Sequence, residues 1–186
     1  MEGTEKSGKK SIVLIGFMGS GKTTVGLRLS WKLRIPVEDT DKLIEKREGC
    51  TISEIFEREG EEAFRRKETE LLRQMAESRY LRILSVGGGT PVREENRELL
   101  KRCGTVVYLR LKPETVFERL REDSSRPLLQ CEDPLEKIRS LMADRRGAYE
   151  DCADVILDVD DLSSEECLEA VLKGIGEAWE KRREKS

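Results

Sequence analysis

A glycine-rich stretch, GFMGSGKT at residues 16–23, directly follows the apolar run 12–15. It matches the pattern G-x-x-x-x-G-K-[ST] at every fixed position. Its glycines allow a tight turn in which successive backbone N–H groups point inward at phosphate oxygens, and the helix that follows adds its positive N-terminal end. The chain must therefore place a strand, this loop and a helix in succession, and the loop predicts a bound nucleoside triphosphate.

Each polar group of this loop has a predicted role. Lys22 would reach the β- and γ-phosphates, and the Thr23 hydroxyl would be a ligand of Mg²⁺. A glycine turn with an incidental lysine is the alternative, which the flanking strand and helix disfavour. The residues predicted to bind the triphosphate are Gly19, Ser20, Gly21, Lys22, Thr23 and Thr24.

Short apolar runs alternate with long, charged helical patterns along the rest of the chain. The predicted strands cover residues 11–15, 36–39, 82–86, 105–109 and 154–157. This alternation predicts an α/β fold, in which a parallel sheet is covered by helices on both faces.

Helix-start signals and the lack of linkers define the domain organisation. Thr51 and Glu54 have capping-box spacing, and Asp133 precedes a proline at the first position of a later helix. The chain has no internal repeat and no Gly/Ser-rich linker. Residues 1–186 are therefore predicted to form a single domain, with frayed ends at 1–9 and 180–186.

The composition narrows the class of protein. A formal net charge of −3 favours neither nucleic acid nor an anionic membrane as a partner. No apolar run approaches the ~20 residues of a membrane-spanning helix. Five cysteines without Cys-x-x-Cys spacing are typical of reduced thiols, so we expect a cytoplasmic protein. Because the chain has no histidine, any general base must be a carboxylate.

Two other classes of nucleotide-binding protein fit the sequence less well. A GTPase needs Asn-Lys-x-Asp to read its base, but the only asparagine, Asn96, is followed by Arg97. A motor ATPase needs an acid at the end of an apolar strand beside the P-loop strand. The run that ends in Asp158 has that form, but it comes late in the chain. A small-molecule phosphotransferase is the remaining prediction.

Asp39 and Asp41 close the second predicted strand. In a doubly wound sheet, the carboxyl ends of the strands point into the ligand crevice. One carboxylate there can hold Mg²⁺ through water, and the other can orient a hydroxyl group and accept its proton. The alternative interpretation is a helix cap.

Helical periodicity places charged side chains on apolar faces. In the segment 61–78, Glu68 falls inside the apolar stripe and Arg65 on its flank. In a later helix, Arg145 lies near the middle of the stripe and Arg146 nearer its edge. Inward arginines could grip the carboxylate or phosphate of an acceptor in a bidentate way, although a structural ion pair explains them equally well.

Two further segments are candidates for the site. The triple glycine 87–89 lets backbone approach a ligand closely, although a plain turn would also explain it. Residues 119–133 are polar and are predicted to form a mobile lid, in which Arg126 could fold over the transferring phosphoryl group. A solvated side chain is the alternative for Arg126.

Taken together, these segments resemble shikimate kinases along nearly the whole chain, from Ile12 to about Val171. The matching pieces are GFMGSGKTTVG at 16–26, DTD at 39–41, GEEAFRRKE at 60–68, GGGT at 87–90, RPLL at 126–129 and Arg145 with Tyr149. Many enzymes share the P-loop, but this ordered set is specific. The loop 158–166, DVDDLSSEE, departs from relatives that carry a proline or arginine there.

The resemblance implies ATP-dependent phosphorylation of the 3-hydroxyl of shikimate, in aromatic amino acid biosynthesis, with Mg²⁺. It implies a P-loop α/β/α fold whose five-stranded parallel sheet has the order 2-3-1-4-5, and we expect a monomer. By matching positions, the resemblance implies that the catalytic residues are Lys22, Asp41 and Arg126 and that Arg119 contacts the adenine. It implies that shikimate is bound by Asp41, Arg65, Gly87, Gly88, Gly89 and Arg145. It implies that Mg²⁺ is held by Thr23 and Asp39. A kinase for gluconate or a nucleoside monophosphate, and a non-catalytic ATP sensor, are the rival predictions.

Overall fold

A computed structural model describes residues 11–121 and 132–184. The strands are β1 (Ile12–Ile15), β2 (Val37–Asp39), β3 (Ile83–Ser85), β4 (Thr105–Arg110) and β5 (Val155–Asp158). They form one parallel sheet in the order β2-β3-β1-β4-β5. The five predicted strands and the 2-3-1-4-5 order are confirmed, with each strand end within one residue of its predicted position.

Eight α-helices and a 3₁₀ turn connect the strands within the described ranges. The helices are α1 (Lys22–Leu33), α2 (Thr40–Glu48), α3 (Ile52–Glu59), α4 (Glu61–Glu77), α5 (Glu94–Cys103), α6 (Pro113–Leu120), α7 (Pro134–Cys152) and α8 (Ser164–Glu184), and the 3₁₀ turn is Thr90–Val92. The predicted capping box of Thr51 and Glu54 begins α3. At the start of α7, Asp133 accepts a hydrogen bond from the backbone N–H of Glu136.

The central strand β1 shows why this sheet needs helices on both faces. Ile12 and Leu14 pack into a core beneath α1 and α8, whereas Val13 and Ile15 pack into a second core beneath α4, α5 and α7. All four side chains are fully buried. Since successive side chains of a strand point to opposite faces, a strand that is apolar at every position must be covered on both.

The strand order removes the motor-ATPase interpretation. β1 lies between β3 and β4, which end at Ser85 and Arg110. Asp158 instead ends the edge strand β5, where its carboxylate accepts two hydrogen bonds from Arg110, at 2.6 and 2.8 Å. The acid therefore forms a surface ion pair, away from the P-loop strand.

Two predicted boundaries differ from the structure. Residues 180–184, which we expected to be frayed, continue α8, because Trp179 donates to Thr105 Oγ1 at 2.9 Å and Arg182 pairs with Asp154. The predicted lid, 119–133, begins inside α6, and residues 122–131 lie outside the described ranges. Over the part of the chain that the structure describes, no helix is long and apolar enough to cross a membrane.

Candidate active site

A cavity of about 400 Å³ opens at the carboxyl ends of β1, β2 and β3. Its lining includes most of the residues predicted from the sequence: Gly19, Lys22, Thr23, Asp39, Asp41, Arg65, Gly87, Gly88, Gly89 and Arg145. These residues come from five separate segments of the chain. The parallel sheet brings them together because the carboxyl ends of its strands share one edge.

The P-loop turns between β1 and α1 as its glycines require. Gly16, Gly19 and Gly21 have positive φ angles of 149°, 75° and 88°. A Cβ on Gly16 would lie 2.7 Å from the carbonyl oxygen of Leu109, so no larger residue fits there. The Lys22 ammonium donates to the carbonyl oxygens of Gly16 and Phe17, at 2.8 and 3.0 Å. The loop thus holds its own lysine beside the cavity.

A second cavity, of about 290 Å³, adjoins the other side of the P-loop. Ser20, Gly21 and Thr24 line it, together with Arg119 from α6. The Arg119 guanidinium donates to the carbonyl oxygens of Gly19 and Val159, at 3.0 and 3.3 Å. Arg119 therefore lies between the P-loop and the segment after β5, within reach of a nucleotide held by the loop. Arg126 lies outside the described residues.

Asp39 and Asp41 have different surroundings although they are two residues apart. Asp39 caps α2, because its Oδ1 accepts from the backbone N–H groups of Asp41 and Lys42, at 3.0 and 3.3 Å. Asp41 Oδ1 is buried and has no hydrogen-bond partner among the described residues. The predicted helix cap is therefore real, but it explains Asp39 only.

Burial is the main reason that the pKa of Asp41 is raised to about 6. The negative charges of Asp39 and Glu68 raise this pKa further, and the positive charges of Lys22 and Arg65 oppose them. A carboxylate of this kind is ionised at neutral pH but holds a proton more readily than an exposed one. These are the properties required of a general base.

Thr23 and Asp39 face the same cavity and offer oxygen atoms that suit Mg²⁺. Among the described residues, no group of three or more His, Cys, Asp or Glu side chains could hold a metal ion. A hydroxyl and one carboxylate fit an ion that keeps several waters and takes its other ligands from phosphate oxygens. The residues present are therefore compatible with magnesium bound together with a nucleotide.

Arg65 and Glu68 form the buried charged pair that the helical pattern of α4 predicted. Arg65 Nη1 donates to Glu68 Oε2 at 2.7 Å, and its Nη2 donates to Glu61 at 2.9 Å. Glu68 is only 1% exposed, and its other oxygen accepts from the Thr90 hydroxyl. The structural ion pair weighed for Arg65 thus exists, and it holds the guanidinium at the wall of the cavity.

Arg145 differs from Arg65 in lacking such a pair. It lines the cavity from α7 with its guanidinium 5.5 Å from the centre of the Phe17 ring, and within the described residues no carboxylate pairs with it. Arg146, next in sequence, has a 66% exposed side chain that pairs with Glu150. The predicted distinction between an inward and an outward arginine is confirmed.

Each glycine of the triple-glycine turn lies against one of the predicted site residues. A Cβ on these glycines would lie 2.8 Å from Asp41 Oδ1, 3.6 Å from Arg145 Nη1 and 2.6 Å from both Nη atoms of Arg65. The three pairs are Gly87 with Asp41, Gly88 with Arg145 and Gly89 with Arg65. At both ends of this turn a Cβ would force the Asp41 or Arg65 side chain to move, so glycine lets these two side chains keep their positions.

Comparison with known proteins decides the family. A family model described as shikimate kinase matches residues 18–176. A shikimate kinase of Neisseria meningitidis serogroup C is 44% identical over 162 residues, which are 87% of this chain and 94% of that one. This chain belongs to the shikimate kinase family.

Solved structures of the family share this fold. A shikimate kinase from Acinetobacter baumannii, solved in complex with shikimate, superposes with a TM-score of 0.81 at 39% identity, covering 88% of this chain and 91% of that one. A gluconokinase from Sinorhizobium meliloti gives a TM-score of 0.60 at 19% identity, covering 95% and 97%. The gluconokinase likeness extends to the fold alone.

Some lining residues of this family member's cavity carried no signal in the sequence. Ile52 and Phe56 of α3 form an apolar wall with Phe64, whose ring centre is 5.0 Å from that of Phe56. Tyr149, which the family resemblance included without a role, is not among the lining residues but donates from its hydroxyl to the Gly88 carbonyl oxygen at 2.6 Å. Apolar residues on a helix normally indicate the core, so periodicity cannot separate a cavity wall from it.

A larger cavity, of about 700 Å³, lies beside β5, away from the P-loop. None of the sequence-predicted site residues in the described ranges lines it. The three arginines that line it already have carboxylate partners: Arg110 pairs with Asp158, Arg139 with Glu114 and Arg146 with Glu150. Among the described residues, none of its lining side chains has a buried oxygen without a hydrogen-bond partner, as Asp41 has.

Proposed function

We propose that the cavity beside the P-loop is where this chain transfers a phosphoryl group from ATP to the 3-hydroxyl of shikimate. As a member of the shikimate kinase family, the chain phosphorylates shikimate with ATP as co-substrate, a step of aromatic biosynthesis. The assignment of the steps to individual residues, and the use of Mg²⁺, are the proposal.

Asp41 acts as the general base. The 3-hydroxyl oxygen forms a bond to the γ-phosphorus while the bond from that phosphorus to the β,γ-bridging oxygen breaks, and ADP leaves. The hydroxyl proton passes to the Asp41 carboxylate. A pKa of about 6 and a buried oxygen without a partner among the described residues support this role.

Arg65 and Arg145 grip the carboxylate of shikimate, with the Gly88 backbone beside them. A planar guanidinium matches a carboxylate in bidentate geometry, so two arginines on one cavity wall fix the orientation of the ring. Arg145 has no ion pair in the described part of the chain, which leaves its charge for the ligand. Holding the ring in this way presents the 3-hydroxyl to Asp41.

The P-loop binds the phosphates of ATP through its N–H groups and Lys22, and Arg119 contacts the base. Thr23 and Asp39 would hold Mg²⁺. When bound, this ion neutralises charge on the β- and γ-phosphates. By family resemblance, Arg126 would close over the γ-phosphate.

One observation carries the proposal: the three glycines 87–89 lie against the proposed base and against both arginines, so one turn gathers the acceptor site. The test is a coupled assay of ADP formation with shikimate, gluconate and the nucleoside monophosphates as acceptors. We expect saturable turnover with shikimate alone. Comparable turnover with gluconate would contradict the acceptor assignment.

Asp41→Asn tests the base directly. This variant keeps the shape of the side chain but cannot accept a proton, so turnover should fall about 10²–10⁴-fold. Calorimetry should give an unchanged Kd for ATP. Equal loss of ATP binding and turnover would indicate that Asp41 supports folding instead.

We also propose that the protein acts as a monomer in the cytoplasm. The residues proposed to bind shikimate all line one cavity of a single chain, and the four cysteines in the described ranges are free thiols. Light scattering of the purified protein, with and without ATP and shikimate, should give the mass of one chain.

A further inference from the structure

Asn96 is a completely buried polar side chain outside the cavity. It lies in the first turn of α5, behind the triple-glycine turn. Its Nδ2 donates to the Thr90 carbonyl oxygen at 3.0 Å, and its Oδ1 accepts from the Thr69 hydroxyl at 2.8 Å. A buried amide with both ends paired joins the segments that it contacts.

The two segments joined by Asn96 both lead to the acceptor site. Thr69 is on α4, the helix that carries Arg65 and Glu68. Thr90 begins the 3₁₀ turn after the glycines, and its backbone N–H donates to the Gly87 carbonyl oxygen at 3.1 Å. Asn96 therefore fixes how far the glycine turn lies from α4.

The Thr90 hydroxyl extends this link into the charged pair. It donates to one oxygen of Glu68, while the other oxygen of Glu68 accepts from Arg65. A buried carboxylate needs donors on both oxygens, so a displaced Thr90 would leave Glu68 underpaired and free to pull Arg65 out of place.

We infer that Asn96 is a positioning residue for shikimate: through the Thr90 hydroxyl and Glu68 it holds Arg65 in the geometry that grips the acceptor. The inference rests on the proposed role of Arg65. Asn96 lines neither of the two cavities beside the P-loop, and the P-loop is not part of this chain of contacts. Its loss should therefore weaken shikimate binding and spare ATP binding.

The first test is the kinetics of Asn96→Ala. We expect the KM for shikimate to rise about tenfold, as for one lost buried hydrogen bond, while the KM for ATP stays within about twofold. Leu99→Ala is the matched control, because Leu99 is buried on the same helix and contacts the apolar core. It should lower Tm without changing the KM for shikimate.

A double-mutant cycle tests the route through Thr90. Thr90→Val removes the hydroxyl while keeping its volume and should raise the KM for shikimate, and Thr90→Ser should restore it. In the Thr90→Val background, adding Asn96→Ala should change that KM by less than about twofold, because the route is already broken. Additive effects in the cycle would overturn the inference.

Arg65→Ala separates this inference from the proposed function. If Arg65→Ala binds shikimate normally, the role of Arg65 fails and the inference fails with it. If Arg65→Ala weakens shikimate binding while Asn96→Ala alters only Tm, or raises both KM values equally, the inference alone is overturned. Calorimetric Kd values for shikimate, measured beside the kinetics, identify which case holds.

Discussion

At the scale of single residues, the site combines groups whose positions are costly without a ligand. Within the described residues, Asp41 has a buried oxygen without a partner, and the half-buried Arg145 pairs with no carboxylate. A folded protein rarely leaves buried polar groups in this state unless function requires it. Substitution of such a residue should therefore lower activity while it raises stability, or should lower activity more than stability.

Arg145→Ala and Arg146→Ala form a matched pair. Arg145→Ala should lower kcat/KM for shikimate, with a loss of about 2–4 kcal/mol of transition-state stabilisation, because a charge-assisted contact to the carboxylate is lost. Arg146→Ala removes a largely exposed ion pair and should cost well under about 1 kcal/mol. Steady-state kinetics with shikimate and thermal melts of both variants are the measurements. A larger effect at Arg146 would contradict the assignment.

The pH dependence of the rate should report Asp41. The carboxylate must be ionised to accept a proton, and its pKa of about 6 belongs to the protein without ligands. As pH falls through about 6, kcat/KM for shikimate should decline, reaching about tenfold loss per pH unit. The KM for ATP, corrected for the ionisation of ATP, should not follow the same curve. A kcat/KM that stays flat down to pH 4.5 would exclude this base.

The same pKa predicts a stability effect. The pKa of Asp41 in the folded state, about 6, is above its ordinary value of 3.8, so the folded state binds the extra proton. The contribution of this proton to the free energy of unfolding is fully present below about pH 3.8 and is lost as pH rises through about 6. The free energy of unfolding therefore falls by about 3 kcal/mol between these two limits. Asp41→Asn should therefore raise Tm at pH 7.5, and this gain should disappear near pH 4. A Tm that falls at pH 7.5 would contradict the burial argument.

At the scale of elements, the turn between β3 and α5 controls the acceptor site. Gly89 has φ −87° and ψ −16°, which any residue adopts, so a substitution there meets no backbone strain. The obstacle is the Arg65 guanidinium, 2.6 Å from the position of a Cβ. Because Arg65 is a flexible side chain, it can move away, and the fold can accept the methyl group.

Gly89→Ala should therefore displace Arg65 while leaving the fold intact. We expect the KM for shikimate to rise about tenfold and Tm to change by less than about 2 °C. Gly147→Ala, on α7, is the matched control, because a Cβ there meets nothing within 4 Å. It should leave both KM values unchanged. If Gly89→Ala unfolds the protein, the turn serves stability first.

At the scale of the whole molecule, stability and function occupy different ends of the sheet. The last turns of α8 pack on the core far from the P-loop, where Trp179 donates to the fully buried Thr105. Trp179→Ala should cost about 2 kcal/mol of unfolding free energy, or about 5 °C in Tm, through lost packing and an unpaired hydroxyl. Both KM values should be unchanged. Altered kinetics would show that the two ends are coupled.

Local patterns in the sequence predicted the strands, the caps and the inward direction of Arg145, because each depends on neighbours a few residues away. The strand order came from the family resemblance, since no local pattern states which strands pair. From the sequence alone, Asn96 served only to exclude the Asn-Lys-x-Asp motif of a GTPase. Its burial and its bonds to Thr69 and Thr90 depend on segments 27 and 6 residues away that meet only in the fold.

The buried Asp41 oxygen, which has no hydrogen-bond partner among the described residues, has a consequence for directed evolution. A library of random variants selected only for survival of heat at neutral pH rewards any replacement that removes a buried charge. Substitutions at Asp41 should be enriched among the survivors, and the enriched clones should be inactive. A screen for more heat-stable variants of this enzyme therefore needs growth that depends on turnover. Such a selection retains Asp41, although Asp41 lowers the heat stability of the starting protein.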